Sequence, residues 1–257
     1  MRAIATVAAV LAMLVASCRS ADAPSPAVRV GAAWPSEPPG LTLLTDRMWT
    51  ALTGDGWKRR DSDHDRIVDD RTAPESTGKA LEYAYPAGFA GGAAPATHFY
   101  PIGGRTEVFV GLDVEASQPW QGHSSLVNKI QFLLTSHSDM YLAMYGPPSG
   151  PYELRVIPQW SGNGDAWLQP NAANPPVTPG RWHSIGWYVK YASAPGAHDG
   201  VVRWWLDGVL VGDHADVACP DAAGFVEYQI SPTWGGVGDR KTENDFMRFA
   251  RTYISAR

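Results

Sequence analysis

The chain is poor in cysteine, in basic runs and in helical periodicity, and each shortage excludes something. Two cysteines, Cys18 and Cys219, occur in 257 residues. If Cys18 is consumed by acylation, Cys219 is the only thiol left, so no internal disulfide can brace the fold and stability must come from an apolar core. The largest basic cluster is Lys58-Arg-Arg60, and the net charge is −5. That balance offers no electrostatic footprint for nucleic acid, which is excluded as a partner. No helical period of useful length and no internal repeat is found, which leaves packed antiparallel sheets as the economical architecture. What is plentiful is aromatic surface, with 11 Trp and 10 Tyr. Flat amphipathic rings stack on the apolar faces of sugars, although several of these must fill the core.

At the N-terminus, Arg2 precedes an apolar run from Ala3 to Ala16 that is too short to cross a bilayer and suits the h-region of a signal peptide. Val15-Ala-Ser-Cys18 has the small residues and cysteine of a bacterial lipobox, in which Cys18 would be acylated. The expected organisation is a leader over 1–18, a flexible Ala/Pro/Ser-rich tether over 19–40, and one domain over 41–257. Contact with the membrane would be through the lipid anchor only, placing the protein on the cell envelope.

Arg181-Trp-His-Ser-Ile-Gly-Trp-Tyr-Val-Lys-Tyr191 and Gly200-Val-Val-Arg-Trp-Trp-Leu-Asp-Gly-Val-Leu-Val211 alternate with period two and are crowded with aromatic and β-branched residues. The second folds back at Asp207-Gly208, a dipeptide that tolerates the positive φ of a tight hairpin. Further strands are expected over Lys79–Tyr85, Arg105–Ala116, Val127–Thr135, Met140–Tyr145, Tyr152–Gln159, Phe225–Ile230 and Met247–Ser255. Asp46 to Leu52 reads as a short helix or an irregular edge. Ser161 to Pro179, with Asn163, Trp167, Gln169, Asn171 and Asn174, suits either the wall of a binding site or a crossover between sheets.

The Trp-His that opens one strand and the Trp-x-Asp-Gly-Val of the next resemble the concanavalin A-like lectin/glucanase jelly rolls. Ile67-Val-Asp-Asp-Arg-Thr-Ala-Pro74, Tyr85-Pro-Ala-Gly-Phe-Ala-Gly-Gly92, Val127-Asn-Lys-Ile-Gln-Phe132 and Pro232-Thr-Trp-Gly-Gly236 extend the resemblance to the bacterial polysaccharide-lyase-like branch. It implies an all-β jelly-roll sandwich of two antiparallel sheets whose concave face binds polysaccharide. In those lyases a Lys in a Gly-Lys-Leu-Pro-Gly strand and a Tyr from a neighbouring strand sit in the groove. Asn128-Lys129-Ile130 looks like the counterpart, with Gln131-Phe132 in place of Leu-Pro-Gly.

Splitting each strand by the two-residue alternation gathers Lys129, Gln131, Tyr141, Tyr145, Arg155, Gln159, Tyr188, Lys190, Arg203 and Trp205 on the face expected to be open. That inventory suits an acidic, uronate-containing glycan. Its cleavage by β-elimination needs a cation or amide against the carboxylate, a base for the C5 proton and an acid for the leaving oxygen, all available without a metal. Lys129 and Tyr188 are the expected catalytic pair, Arg155 the carboxylate partner, and the others substrate-binding. His98, His123 and His183 are further candidate bases. The missing Leu-Pro-Gly leaves a non-catalytic carbohydrate-binding surface lipoprotein as the alternative. Glycoside hydrolysis fits worse, because Gly111-Leu-Asp-Val-Glu-Ala116 lacks both outer glutamates of the Glu-x-Asp-x-x-Glu strand. Asp61, Asp63 and Asp65 have the spacing of a calcium loop but lack its glycine and its closing acid, so at most a structural calcium is expected.

Overall fold

The computed structural model describes residues 33–61, 63–74, 77–160, 167–220 and 224–257. Residues 1–32, which comprise the expected leader with its lipidation site Cys18 and the first part of the expected tether, lie outside them, as does Asn163. Fourteen strands run through the described residues, and no helix is among them. An eight-stranded antiparallel sheet has the order β12 (Val209–Val217), β11 (Gly200–Leu206), β10 (His183–Lys190), β6 (Glu107–Ala116), β14 (Asp245–Ala256), β4 (Lys79–Tyr85) and β3 (Asp65–Asp69), with β1 (Thr42–Met48) also on β14. A six-stranded sheet has the order β2 (Lys58–Arg60), β5 (Thr97–Arg105), β13 (Phe225–Ile230), β7 (Val127–Leu134), β8 (Asp139–Tyr145) and β9 (Glu153–Gln159).

Alternation explains the layering. In β11, Val202, Trp204 and Leu206 point inward, and in β10 Ile185, Trp187 and Val189 do the same. They meet Leu133, Met140, Leu142, Met144, Leu154 and Val156 from the other sheet, so one apolar core separates the two layers. Trp204 also donates its indole N–H to the Leu154 carbonyl across the layers at 3.2 Å. Asp207 and Gly208 both have positive φ, 51° and 79°, the requirement of the tight turn expected there.

Segment Asp46–Leu52 is not helical: its first half belongs to β1. The span expected as one strand from Arg105 is divided at Thr106, with β5 running up to it. Gly103 and Gly104, both at φ 74°, fall inside β5 where its pairing with β13 is irregular between Pro101 and Arg105.

The outer face of the large sheet is covered rather than open. Gly111 of β6 and Gly186 of β10 stand opposite each other in register, and the chain at 33–37 crosses them. A methyl group on Gly111 would come within 2.1 Å of the Trp34 ring, and one on Gly186 within 3.0 Å of Ser36 Oγ. Tyr253 donates its hydroxyl to Glu37 at 2.7 Å. The last residues of the expected tether are therefore a packed strap, with Trp34 only 5 % exposed. Gly111→Ala must expel the ring or shift two strands, so a loss of about 1–3 kcal/mol is expected in denaturant melts. An unchanged midpoint would mean that the strap is not fastened there.

Candidate functional site

The ten residues expected on one open face fall on two different sheets. Lys129, Tyr141, Tyr145, Arg155 and Gln159 lie on the outer face of the six-stranded sheet, in β7, β8 and β9. Tyr188, Lys190, Arg203 and Trp205 lie on β10 and β11 of the other sheet. Sequence alternation identifies a second face for each strand, but it cannot say which sheet the strand joins.

Tyr188 is consequently not a partner of Lys129. Its ring packs with Trp34, Phe109 and Tyr253, and its hydroxyl donates to Glu107 at 3.1 Å. Burial, with the Glu107 charge adding to it, pushes the phenol up to about 12. Arg203 is tied to Asp213 at 2.6 Å, Trp205 leans on Phe109, and Lys190 is exposed at the end of β10. None of these four reaches the face that carries Lys129.

Gln131 is the second correction. The β7–β8 register shifts between Lys129 and Gln131, so Ile130 and Gln131 both turn inward. Gln131 is fully buried and accepts the Tyr228 hydroxyl proton at 2.7 Å. After the bulge Phe132, not Gln131, shares the outer face with Lys129. Of the histidines, His98 lies in the core, with Nδ1 2.6 Å from the Tyr83 hydroxyl, and burial lowers it to about 4 despite Asp65. His123 is packed against Trp234, and His183 binds Asp207 at 2.9 Å at the start of β10. Asp65 is turned inward to Arg59 and His98 while Asp61 and Asp63 stay exposed, and no metal-binding group of three acids, histidines or cysteines occurs among the described residues.

On the remaining face, register places Lys129, Ala143 and Arg155 side by side on three adjacent strands. Two strand spacings separate the cations at their backbones, about 10 Å. The small Ala143 lies between them as floor. In the next row Gln229, Phe132, Tyr141 and Ile157 align, and beyond it Leu134, Asp139 and Gln159.

Lys129 Nζ sits 4.7 Å from the Tyr141 ring centroid and 5.7 Å from that of Phe132. Among the described residues no hydrogen bond or ion pair holds this ammonium. Burial lowers its pKa, and Asp139 pulls the other way. Asp139 is raised by burial against the opposing effect of Lys129, and its Oδ1 is buried with no hydrogen-bond partner among the described residues. The sequence reading began β8 one residue late, at Met140, and so missed Asp139, although it shares the two-residue phase of Tyr141, Ala143 and Tyr145.

At the other end of the face, the Arg155 guanidinium lies 3.7 Å from the Tyr145 ring centroid and donates to Glu153 at 2.5 Å. Glu153 also accepts from Asn174 at 2.6 Å. Tyr145 and Arg155 line a hollow of about 330 Å³. Trp167 packs edge-on against Tyr145 at 5.3 Å, beside the pairing of Leu168 with Val156. Farther along, Asn171 bonds to the backbone of Asp213 on β12. The described part of the expected loop thus crosses between the sheets and also walls this face.

No family model matches the chain, and no curated protein does. Solved structures do. Two packed antiparallel sheets with this order form a jelly-roll β-sandwich. The endo-β-1,4-glucuronan lyase of the fungus Trichoderma reesei superposes with a TM-score of 0.58 at 14% identity, over 84% of this chain and 96% of that one. Alginate lyase vAL-1 from Chlorella virus gives 0.55 at 11%, over 84% and 100%. A mutant of alginate lyase Aly36B in complex with alginate trisaccharide gives 0.54 at 15%, over 71% and 83%. At such identities the likeness establishes the fold.

Proposed function

We propose that the protein binds an acidic, uronate-containing polysaccharide on the outer face of the six-stranded sheet and cleaves it by β-elimination. The observation that carries this is Lys129, an ammonium with no ion pair among the described residues, partly buried over Tyr141 and one small residue away from a second cation. The lyase structures with the same fold support the substrate class. In this reading Arg155 faces the uronate carboxylate. Neutral Lys129 takes the C5 proton, the C4–O bond breaks as the C4–C5 double bond forms, and the half-buried Tyr145 protonates the departing oxygen. Tyr141, 3 % exposed, is the platform under Lys129.

A specific feature favours a second reading, binding without cleavage: Arg155 is already committed to Glu153. Incubation with alginate, glucuronan, pectate and glycosaminoglycans separates the two. Ultraviolet absorbance from the new double bond marks a lyase, retention on the polymer without absorbance marks a binder, and neither would refute both.

The two displaced titrations make both kcat and KM rise with pH, each in its own pH window. Lys129 lies below the ordinary lysine range, so its neutral fraction and kcat rise as pH climbs from neutral into the alkaline range. Asp139 lies above the ordinary carboxylate range, and its ionised form repels a polyanion, so KM falls as pH drops into the acidic range. A kcat that falls with rising pH from neutrality would exclude Lys129 as base.

Export and acylation at Cys18 belong to the same proposal, supported by Ala3 to Ala16 and Val15-Ala-Ser-Cys18. Incorporation of labelled palmitate in a bacterial host, lost in Cys18→Ala, is the expected result; equal labelling of both chains would refute it.

A further inference from the structure

On the opposite side of the molecule, the outer face of the eight-stranded sheet holds a hollow of about 440 Å³, the volume of a small ligand site. Its floor is set by register, because Asp113 of β6 stands opposite Ser184 of β10. One wall is the strap with Trp34, and the other is Trp182, half-exposed just before β10. The walls are held from behind. Trp182 donates its indole N–H to Thr72 Oγ1 at 3.1 Å, and Thr72 donates in turn to Asp70 at 2.6 Å, which Arg248 binds at 3.1 Å. Trp34 has one side on Gly111 and the Arg251 guanidinium 5.0 Å from its ring centroid.

The charges decide what this hollow accepts. Arg251 lines it but is engaged by Asp46 through bonds of 2.8 and 3.0 Å. Asp207, also lining it, takes bonds from His183 and Arg181. Asp113, 5 % exposed, adds a further carboxylate. With Arg251 engaged by Asp46 and Arg181 by Asp207, the cations lining or flanking this hollow are already paired and a uronate gains little here, whereas on the other sheet it meets the Lys129 ammonium. An aromatic wall with a floor of carboxylate and hydroxyl is what an uncharged sugar ring needs: a flat surface for its C–H face and acceptors for its hydroxyls.

We infer that this hollow is a second saccharide site, specific for a neutral pyranose and separate from the acidic-glycan groove on the opposite sheet. It does not depend on the cleavage reaction. The protein would hold a neutral glycan on one face and an acidic one on the other.

Ligand-observed saturation-transfer NMR tests this with the full chain and D-glucose, D-galactose, D-mannose, D-xylose and D-glucosamine as probes. At least one neutral sugar is expected to receive saturation from the wild type and from Lys129→Ala, and to lose it in Trp182→Ala. Ser184→Gln, which fills the hollow without touching the core, should lose it as well and decides the matter if Trp182→Ala does not fold. Absence of transfer to every neutral sugar, transfer unchanged in a folded variant, or transfer to glucosamine alone would overturn the inference.

Discussion

Lys129→Ala is expected to lose about 10²–10⁴-fold in the rate of unsaturated-product formation, the range typical of removing a proton-transfer group. The substitution spares the core, because the side chain lies on the outer face over Tyr141 and Phe132. Melting should therefore stay near wild type while turnover collapses. Tyr188→Phe provides the contrast: its hydroxyl contacts Glu107 on the other sheet, and turnover should not change. Equal losses in both variants, or none in Lys129→Ala, would remove Lys129 from the chemistry.

Lys241→Ala should produce the largest fall in stability. The Lys241 ammonium is fully buried 3.8 Å from the Trp120 ring centroid and 4.7 Å from that of Trp234. It donates to the Gln121 carbonyl at 2.6 Å and to Asp245 at 2.5 Å, and Asp245 also accepts from the Gln121 N–H at 2.9 Å. One charge thus ties the segment before β7 to the start of β14. Removing it strands the Asp245 carboxylate in the interior, where breaking a buried pair costs about 3–5 kcal/mol. For a domain of this size that is a fall of roughly 6–20 °C in Tm.

Burial, only partly offset by Asp245, brings Lys241 down to about 8 from 10.5. The unfolded chain therefore holds this proton after the folded one has released it, and the residue's contribution to wild-type stability grows as pH rises from about 8 towards 10.5. That gain should be missing from Lys241→Ala. A urea midpoint within experimental error of wild type at neutral pH would contradict the role given to Lys241.

How much of this was legible in the sequence follows from what alternation can carry. Lys79–Tyr85 and Phe225–Ile230 are strands with the expected bounds, and the Asp207-Gly208 turn has the expected geometry, because each depends on local residue types. The charged edge strands Lys58–Arg60 and Asp65–Asp69 carry little apolar signal and were missed. Within the site, Lys129, Tyr141, Tyr145, Arg155 and Gln159 were found together because β7, β8 and β9 are consecutive neighbours. Tyr188 was misplaced for the converse reason: β10 leaves that sheet and pairs with β6, a partner more than sixty residues upstream. No residue announces the bulge that turns Gln131 inward and Phe132 outward. The strap escaped because Pro- and Ala-rich sequence reads as linker, while its anchor is the matched pair Gly111 and Gly186 on strands distant in sequence.

The most direct test of the central claim is a crystal structure of Lys129→Ala with a uronate tetrasaccharide, chosen from whichever polymer the protein cleaves or retains. Sugar density is expected along β7, β8 and β9, with one carboxylate over Ala143 against Arg155 and a ring beside Tyr145 and Trp167. A uronate chain bound on the outer face of the eight-stranded sheet, with β7–β9 bare, would contradict the account.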